Sequence, residues 1–464
     1  MTSIDESIHD SDQAAALDAL RRRVSGVLVT REEAEWDLAR MPWLVNIPQD
    51  PLAVLTVRDV DDIVAAVGWA GEHGVQVTAQ PTGHGANDAL EGALILRTGA
   101  LGGIEVDTER ATAWVGAGVR AGELCTALDG TGLTYLCGSN SDPTVVGMTI
   151  TGGISWLGRA YGIGSDSILA AELVDAGGVL RQVSATEDPE LFWALRGGGG
   201  DFGIITRLQL ALHPAPHLYG GQMMWPAEHM HDVLTAFRDV TRTAPEELSL
   251  WFHLWNFPPI PEVPEPLRGR SFTGVVLTFL GSPEDAEAHL APLRAVAGLA
   301  IDTVGIVGPG QLADLAAEPT EPMPAMQCSR LMDGLDDATI AALTEVAGPG
   351  SGSPLLIVQI RHLGGAFARP VPDGGAHGPV AEEYSLFALG VPAVPELVQV
   401  ILATFARVEG AVGDATSGRT LLNFLEVGED PSRWWDEPTR DRLAAAKRTY
   451  DPHGTIRSNR PVLV

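Results

Sequence analysis

The chain has 464 residues, 45% of them apolar and 19% charged, with a formal net charge of −30. That length allows two or three domains, or one bilobal enzyme with a large core, and the acidic balance argues against nucleic acid or anionic membrane as a partner, since both need basic patches. The three cysteines form no Cys-x-x-Cys pair, the acidic start resembles no export signal, and no run reaches the ~18 apolar residues of a membrane span, so a cytoplasmic protein is expected.

Ala14 to Val29 is apolar at helical spacing and reads as a helix, and Thr30-Arg-Glu-Glu opens a second with a capping-box pattern. Met41 to Pro51 is a loop and Ala53 to Val57 a strand. Asp59 caps a helix from Val60 to His73 whose apolar face is Ile63, Val64 and Val67, and Gly74 ends it. Val75 to Thr78 then leads into Ala79-Gln-Pro-Thr-Gly-His-Gly-Ala-Asn-Asp. Glycines on both sides of His84 let the backbone take positive φ and approach a ligand closely. Consecutive N–H groups in such a turn make a concave anion site. This strand–helix–strand unit carries its ligand loop after the second strand, and no Gly-x-Gly-x-x-Gly joins the first strand to the helix, so it is not a Rossmann unit.

Ala93 to Arg97, Gly103 to Asp107 and Thr112 to Gly116 suggest an antiparallel sheet. The stretch Gly130 to Gly153 is dominated by Gly, Ser, Thr and Pro; a loop of that length inside a compact domain is unusual unless functional. Lys447 is the only lysine, which argues against a Gly-Lys-Ser/Thr phosphate loop; hydroxyls and backbone amides are what a diphosphate needs in its absence. Ile168 to Asp175 and Val179 to Val183 form a hairpin, and the helix Asp188 to Arg196 runs into four consecutive glycines. Farther on, Glu247 to Phe257, Phe272 to Leu280 and Leu355 to Leu363 read as strands. The first of these puts Trp251, His253 and Trp255 on one face and Leu250, Phe252 and Leu254 on the other. The proline-rich run Pro258 to Pro266 is a loop.

Taken together, several stretches resemble a known family: Gly83-His84-Gly85, Asp142-Pro-Thr-Val-Val-Gly with Gly152-Gly153, Arg159-Ala-Tyr-Gly, Leu191-Phe-Trp-Ala-Leu-Arg-Gly-Gly-Gly-Gly-Asp-Phe-Gly-Ile, and the closing Tyr450-Asp-Pro-His-Gly-Thr-Ile-Arg-Ser-Asn-Arg-Pro. They look like the berberine bridge enzyme-like FAD-linked oxidoreductases of the vanillyl-alcohol oxidase superfamily. The resemblance implies an α+β fold: N-terminal helices (1–44), a PCMH-type FAD-binding lobe of two α/β subdomains (45–215), a substrate lobe built on an antiparallel sheet covered by helices (216–410), and a C-terminal segment returning to the FAD lobe (411–464).

It also implies FAD attached covalently through His84. The family's second attachment point, a cysteine, is Asp142 here, so a single link is expected. FAD contacts are implied at Pro81, Thr82, Gly83, Gly85, Ala86, Asp88, Gly116, Ser139, Asp142, Thr144, Val145, Gly147, Gly152 and Gly153, with Gly203 and Ile205 on the adenosine side and Asn459 near the flavin edge. Val145 matches the family position associated with access of dioxygen. No metal is expected. The family's Tyr-x-Asn, on a strand facing the flavin, matches Leu421 and Asn423 within Thr420-Leu-Leu-Asn-Phe-Leu. A leucine cannot take a proton, so the base is sought among Tyr384, His253, Arg361 and Tyr161. Trp251, Trp255, Phe387 and Leu421 are candidates for an apolar substrate pocket. The implied activity is that of a flavoprotein oxidase acting on a medium-sized, largely apolar alcohol, amine or activated C–H, with dioxygen as acceptor. A redox-silent protein steering a cyclisation, or a binding protein on the same fold, are the alternatives, and the oligomeric state is open.

Overall fold

Burial on one face or two decides how each strand is used. The computed structural model describes residues 2–424 and 429–463. Leu94, Ile95 and Leu96 are buried on both faces, the pattern of a central parallel strand. Accordingly Leu94–Arg97 runs parallel to Ala53–Thr56 on one side and Val77–Ala79 on the other. It does not join the next two segments in an antiparallel sheet, as its short apolar run suggested. The helix Val60–His73 covers this sheet, with Asp59 accepting from the Asp62 amide at 3.2 Å and Gly74 closing it at φ 66°. Removal of that cap in Asp59→Ala is expected to cost about 1 kcal/mol, read as a lower denaturation midpoint at unchanged transition slope.

The N-terminal helix spans Thr2–Arg23 and stops before Gly26. A Cβ at Gly26 would sit 2.2 Å from the Thr56 carbonyl oxygen, and the β-branched residues that follow form the strand Val27–Val29, antiparallel to Ala53–Thr56. The helix expected through Val29 therefore gives way to a sheet edge. Glu33 does accept from the Thr30 amide, but the capping pattern closes a turn, and the next helix begins only at Trp36.

A second sheet orders Ile104–Asp107, Thr112–Gly116, Ile204–Ala211, Ile168–Val174 and Leu180–Ser184, all antiparallel. The Gly130 to Gly153 stretch is not structureless: Thr144 caps the short helix Val145–Ile150 within it. These two sheets make the first lobe.

The second lobe is an eight-stranded sheet built around Leu218–Pro226, Ser271–Leu280, Leu248–Asn256, Leu355–His362, Tyr384–Gly390 and Met326–Met332. Its two faces have separate fates. Leu250, Phe252 and Leu254 pack under the helices Met230–Thr241, Pro283–Arg294, Asp337–Ala347 and Pro395–Ala411, whereas Trp251 and Trp255 join the core continuous with the first lobe. The fold is α+β. Among the described residues no helix is long and apolar enough to cross a membrane.

After the helix Glu437–Tyr450 the tail returns to the first lobe. The Val77 amide donates to the Thr455 carbonyl at 2.7 Å and the Arg457 amide to the Val77 carbonyl at 2.9 Å. Asp451 accepts the Thr455 and Ile456 amides, both at 2.8 Å, and Asp201 accepts those of Ser458 and Val462 at 2.7 and 2.6 Å. The Lys447 ammonium lies between these anchors, donating to Asp451 Oδ2, the Asp201 carbonyl and the Ile456 carbonyl.

Candidate active site

Glycine and small polar residues from four segments of the first lobe meet the inner face of the large sheet across a cavity of about 390 Å³. From the first lobe come Thr78 to Gly85, Ser139, Thr144, Gly147, Gly199, Gly200, Gly203 and Ile205, with Ser458, Asn459 and Arg460 from the tail. The sheet contributes Gln327, Ile357, Gln359, Arg361, Phe387 and Leu389, and the segment after Leu421 contributes Leu422, Asn423 and Phe424.

The His84 loop is shaped by its glycines. Gly83 has φ 91°, and a Cβ there would lie 2.7 Å from Pro42. Next to it, the His84 ring stacks on Trp43 with centroids 4.1 Å apart. His84 Nε2 lies 2.7 Å from Asp142 Oδ2. A carboxylate only accepts, so Nε2 is the nitrogen that donates here and Nδ1 is the one left facing away from Asp142. Arg120 holds the other oxygen of Asp142 and donates to its carbonyl at 2.8 Å, which fixes the carboxylate and, through it, the imidazole. Trp43 and Arg120 carried no sequence signal.

The cavity fits an elongated, anionic dinucleotide. Cβ atoms placed at Gly85, Gly199 and Gly200 would project into it and meet nothing nearer than 3.7 Å, so those glycines leave room for a ligand against bare backbone. The buried Asn459 Oδ1 has no hydrogen-bond partner among the described residues, and Asn459 is one of the residues that line the cavity.

The remaining expected contacts are placed differently. Ala86 and Val145 are buried behind the lining, and it is Val146, one residue on, that reaches the cavity. Asp88 is exposed. Gly116 is required by packing, since a Cβ there would meet the Leu101 carbonyl oxygen at 2.2 Å. Gly152 and Gly153 form the turn below the cavity, where Asn423 clamps them: its Oδ1 accepts the Gly153 amide at 2.9 Å, while its Nδ2 donates to the Met148 carbonyl at 3.1 Å and Thr151 Oγ1 at 2.7 Å. With both ends of its amide spent, Asn423 positions this turn. Leu422–Phe424 is a 3₁₀ turn and not a strand, Leu421 is buried behind the wall, and Leu425 lies outside the described residues.

Three of the four base candidates are away from the cavity. Tyr384 alternates onto the helix-covered face and its hydroxyl meets Thr241 Oγ1 at 2.6 Å. Tyr161 donates to the Pro214 carbonyl at 2.6 Å and stacks on His213. His253 is on the inner face but fully covered, stacked on Trp255 at 4.7 Å, and burial pushes it down to about 3, so it is neutral and shielded from any substrate. Trp251 and Trp255 are core: Trp251 stacks on Trp156 at 3.7 Å. Phe387 and Arg361 do line the cavity. Burial lowers Arg361 to about 10, leaving it a cation at neutral pH. Glu318, unmarked by any motif, is the only carboxylate lining the cavity among the described residues, and it accepts from Gln359 Nε2 at 3.3 Å.

Comparison with known proteins agrees with this architecture. Residues 51–184 match the FAD binding domain family. The (R)-6-hydroxynicotine oxidase of Paenarthrobacter nicotinovorans is 26% identical over 455 residues, spanning 94% of this chain and 96% of that protein. The xylooligosaccharide oxidase of Thermothelomyces thermophilus is 31% identical over 207 residues, 44% of this chain and 42% of its own length. Among solved structures, BBE-like 1 of Physcomitrella patens superimposes with a TM-score of 0.83 at 20% identity, covering 97% of this chain and 99% of that one. The 6-hydroxy-D-nicotine oxidase of Arthrobacter nicotinovorans does so with a TM-score of 0.79 at 22% identity, covering 94% and 97%. The fold is thus the one shared by the berberine bridge enzyme-like structures. Residues 51–184 carry an FAD binding domain, and along nearly its whole length the chain is similar to an FAD-dependent oxidase.

Proposed function

We propose that the protein is an oxidase that takes a hydride from an alcohol, amine or activated C–H of a medium-sized, largely apolar substrate, with dioxygen as the acceptor. FAD bound in the cleft supplies the hydride acceptor and, on re-oxidation by dioxygen, yields hydrogen peroxide. The observation that carries this reading is the cleft that joins the glycine-lined first lobe to the inner face of the sheet, where Ile357, Phe387 and Leu389 form an apolar patch, so that one cavity accommodates both cofactor and substrate.

The residues of the chain divide the work. Gly85, Gly199 and Gly200 admit the dinucleotide close to the backbone, and Asn459 offers it an unspent acceptor. His84, with Nε2–H held by Asp142, presents the lone pair of Nδ1 as the single point of covalent attachment; Asp142, standing where a second link would need a cysteine, serves the first link. Ile357, Phe387 and Leu389 exclude water from the sheet side of the cavity. The test is hydrogen peroxide formation in air across a panel of alcohols, amines and sugars; peroxide from an apolar alcohol or amine supports the reading, and no turnover across the whole panel contradicts it.

A second reading keeps one observation behind it: no tyrosine reaches the cavity from position 421 or 384. A redox-silent FAD protein steering a cyclisation needs no such base. Activity that survives chemical reduction of the flavin, without peroxide, selects it.

A further inference from the structure

Arg361 is 3% exposed and makes no direct ion pair among the described residues. Among the described residues its one hydrogen-bond partner is neutral: Gln359 Oε1 accepts from Nε at 3.1 Å and from Nη2 at 2.7 Å. Nη1 has no partner among the described residues. Glu318 does not touch the guanidinium: it acts on it through space and shares Gln359 with it. Three aromatic rings box it in, with Trp251 at 4.1 Å, Phe424 at 4.7 Å and Phe387 at 5.6 Å from the guanidinium carbon. Ser385, directly opposite on the neighbouring strand and so on the same face, buries a hydroxyl that has no partner among the described residues.

A buried charge is tolerated only when paired, and aromatic faces alone do not replace an anion. A guanidinium is a planar fork matched to a carboxylate, and this one lines the cavity with its Nη1 edge unspent. Apart from Gln327 and Gln359, the sheet side of the cavity is apolar, with Ile357, Phe387 and Leu389. We infer that Arg361 receives a carboxylate of the substrate, so that this enzyme acts on organic acids with an apolar body. The word substrate rests on the oxidase reading; the anion site rests on the geometry alone.

The test is a binding experiment that needs no turnover. The holoprotein is titrated with benzoate, phenylacetate and cinnamate and with the primary amide of each, followed by visible flavin absorbance and, independently, by tryptophan fluorescence. Each acid is expected to bind roughly tenfold more tightly than its amide, as charge-assisted pairing to a buried guanidinium requires. The preference is expected to vanish in Arg361→Gln and to return in part in Arg361→Lys. If Arg361→Gln does not fold, the wild-type ratio and its retention at high salt decide. Equal binding of acids and amides overturns the inference, as does absence of binding by every probe at millimolar concentration. A ratio unchanged in Arg361→Gln, with the ligand-free flavin spectrum shifted instead, overturns it too and assigns the guanidinium to the cofactor. A protein that discriminates charge but makes no peroxide fails the oxidase reading alone; one that makes peroxide from neutral substrates without charge discrimination fails this inference alone.

Discussion

Lys447→Met is expected to destabilise the protein by about 3–5 kcal/mol, the cost of removing one member of a buried ion pair. The side chains of Lys447 and Asp451 are 6% and 1% exposed and meet at 2.8 Å. Methionine matches the length of the stem but leaves Asp451 charged in the interior and two carbonyl groups, those of Asp201 and Ile456, without their donor. The damage also has a direction. Asp451 orders residues 455–456 within the tail, Asp201 fastens residues 458–462 to the first lobe, and Asn459 on that segment lines the cavity. The variant is therefore expected to expose its flavin to solvent before the bulk of the fold melts. The check is a thermal ramp following flavin fluorescence and tryptophan fluorescence together: the two transitions coincide or nearly so in the wild type and separate in the variant. A variant with both transitions unmoved contradicts the account of the tail.

The second large effect concerns attachment. In acid, the wild-type protein is expected to carry its yellow colour into the precipitate, and His84→Ala to release all of it into the supernatant. Asp142→Asn is the finer test. Asparagine keeps the volume but not the charge that holds Nε2–H and orients the ring, so attachment is expected to be slow or incomplete while flavin still binds. If Asp142→Asn links its flavin as fully and as fast as the wild type, the carboxylate has no part in preparing His84. If colour leaves the wild-type protein, there is no covalent link at all.

Local signals with a local cause were legible in the sequence. Asp59 and Gly74 marked the ends of their helix because caps act within one turn, and the alternation of residues 250–255 placed the two faces of a strand because side-chain direction follows directly from the pleat. The FAD-binding character was legible because glycine-lined contacts and the closing motif are contiguous in the chain. What was not legible depends on partners far away in sequence. Val27–Val29 reads as the end of a helix until Thr56 is beside Gly26. Leu94–Arg97 becomes parallel only through its neighbours on both sides. In the site, Tyr384 and Phe387 lie three residues apart, yet the pleat sends one to the helices and the other to the cavity. Glu318 belongs to a segment with no periodicity, and its place is set by contacts across the lobes such as Asn140 to the Pro319 carbonyl at 2.8 Å. Asn423 was found by its motif, but the use of its amide in holding Gly153, Met148 and Thr151 could be seen only in the fold.

The central claim is that the cleft supports oxidase chemistry, and it is tested most directly without knowing the substrate. The holoprotein is photoreduced under nitrogen and mixed rapidly with air-saturated buffer while flavin absorbance and peroxide are followed. The account predicts re-oxidation within seconds with one hydrogen peroxide per flavin. A reduced flavin that persists for minutes in air, yet is oxidised at once by an artificial electron acceptor, would contradict it and make the enzyme a dehydrogenase.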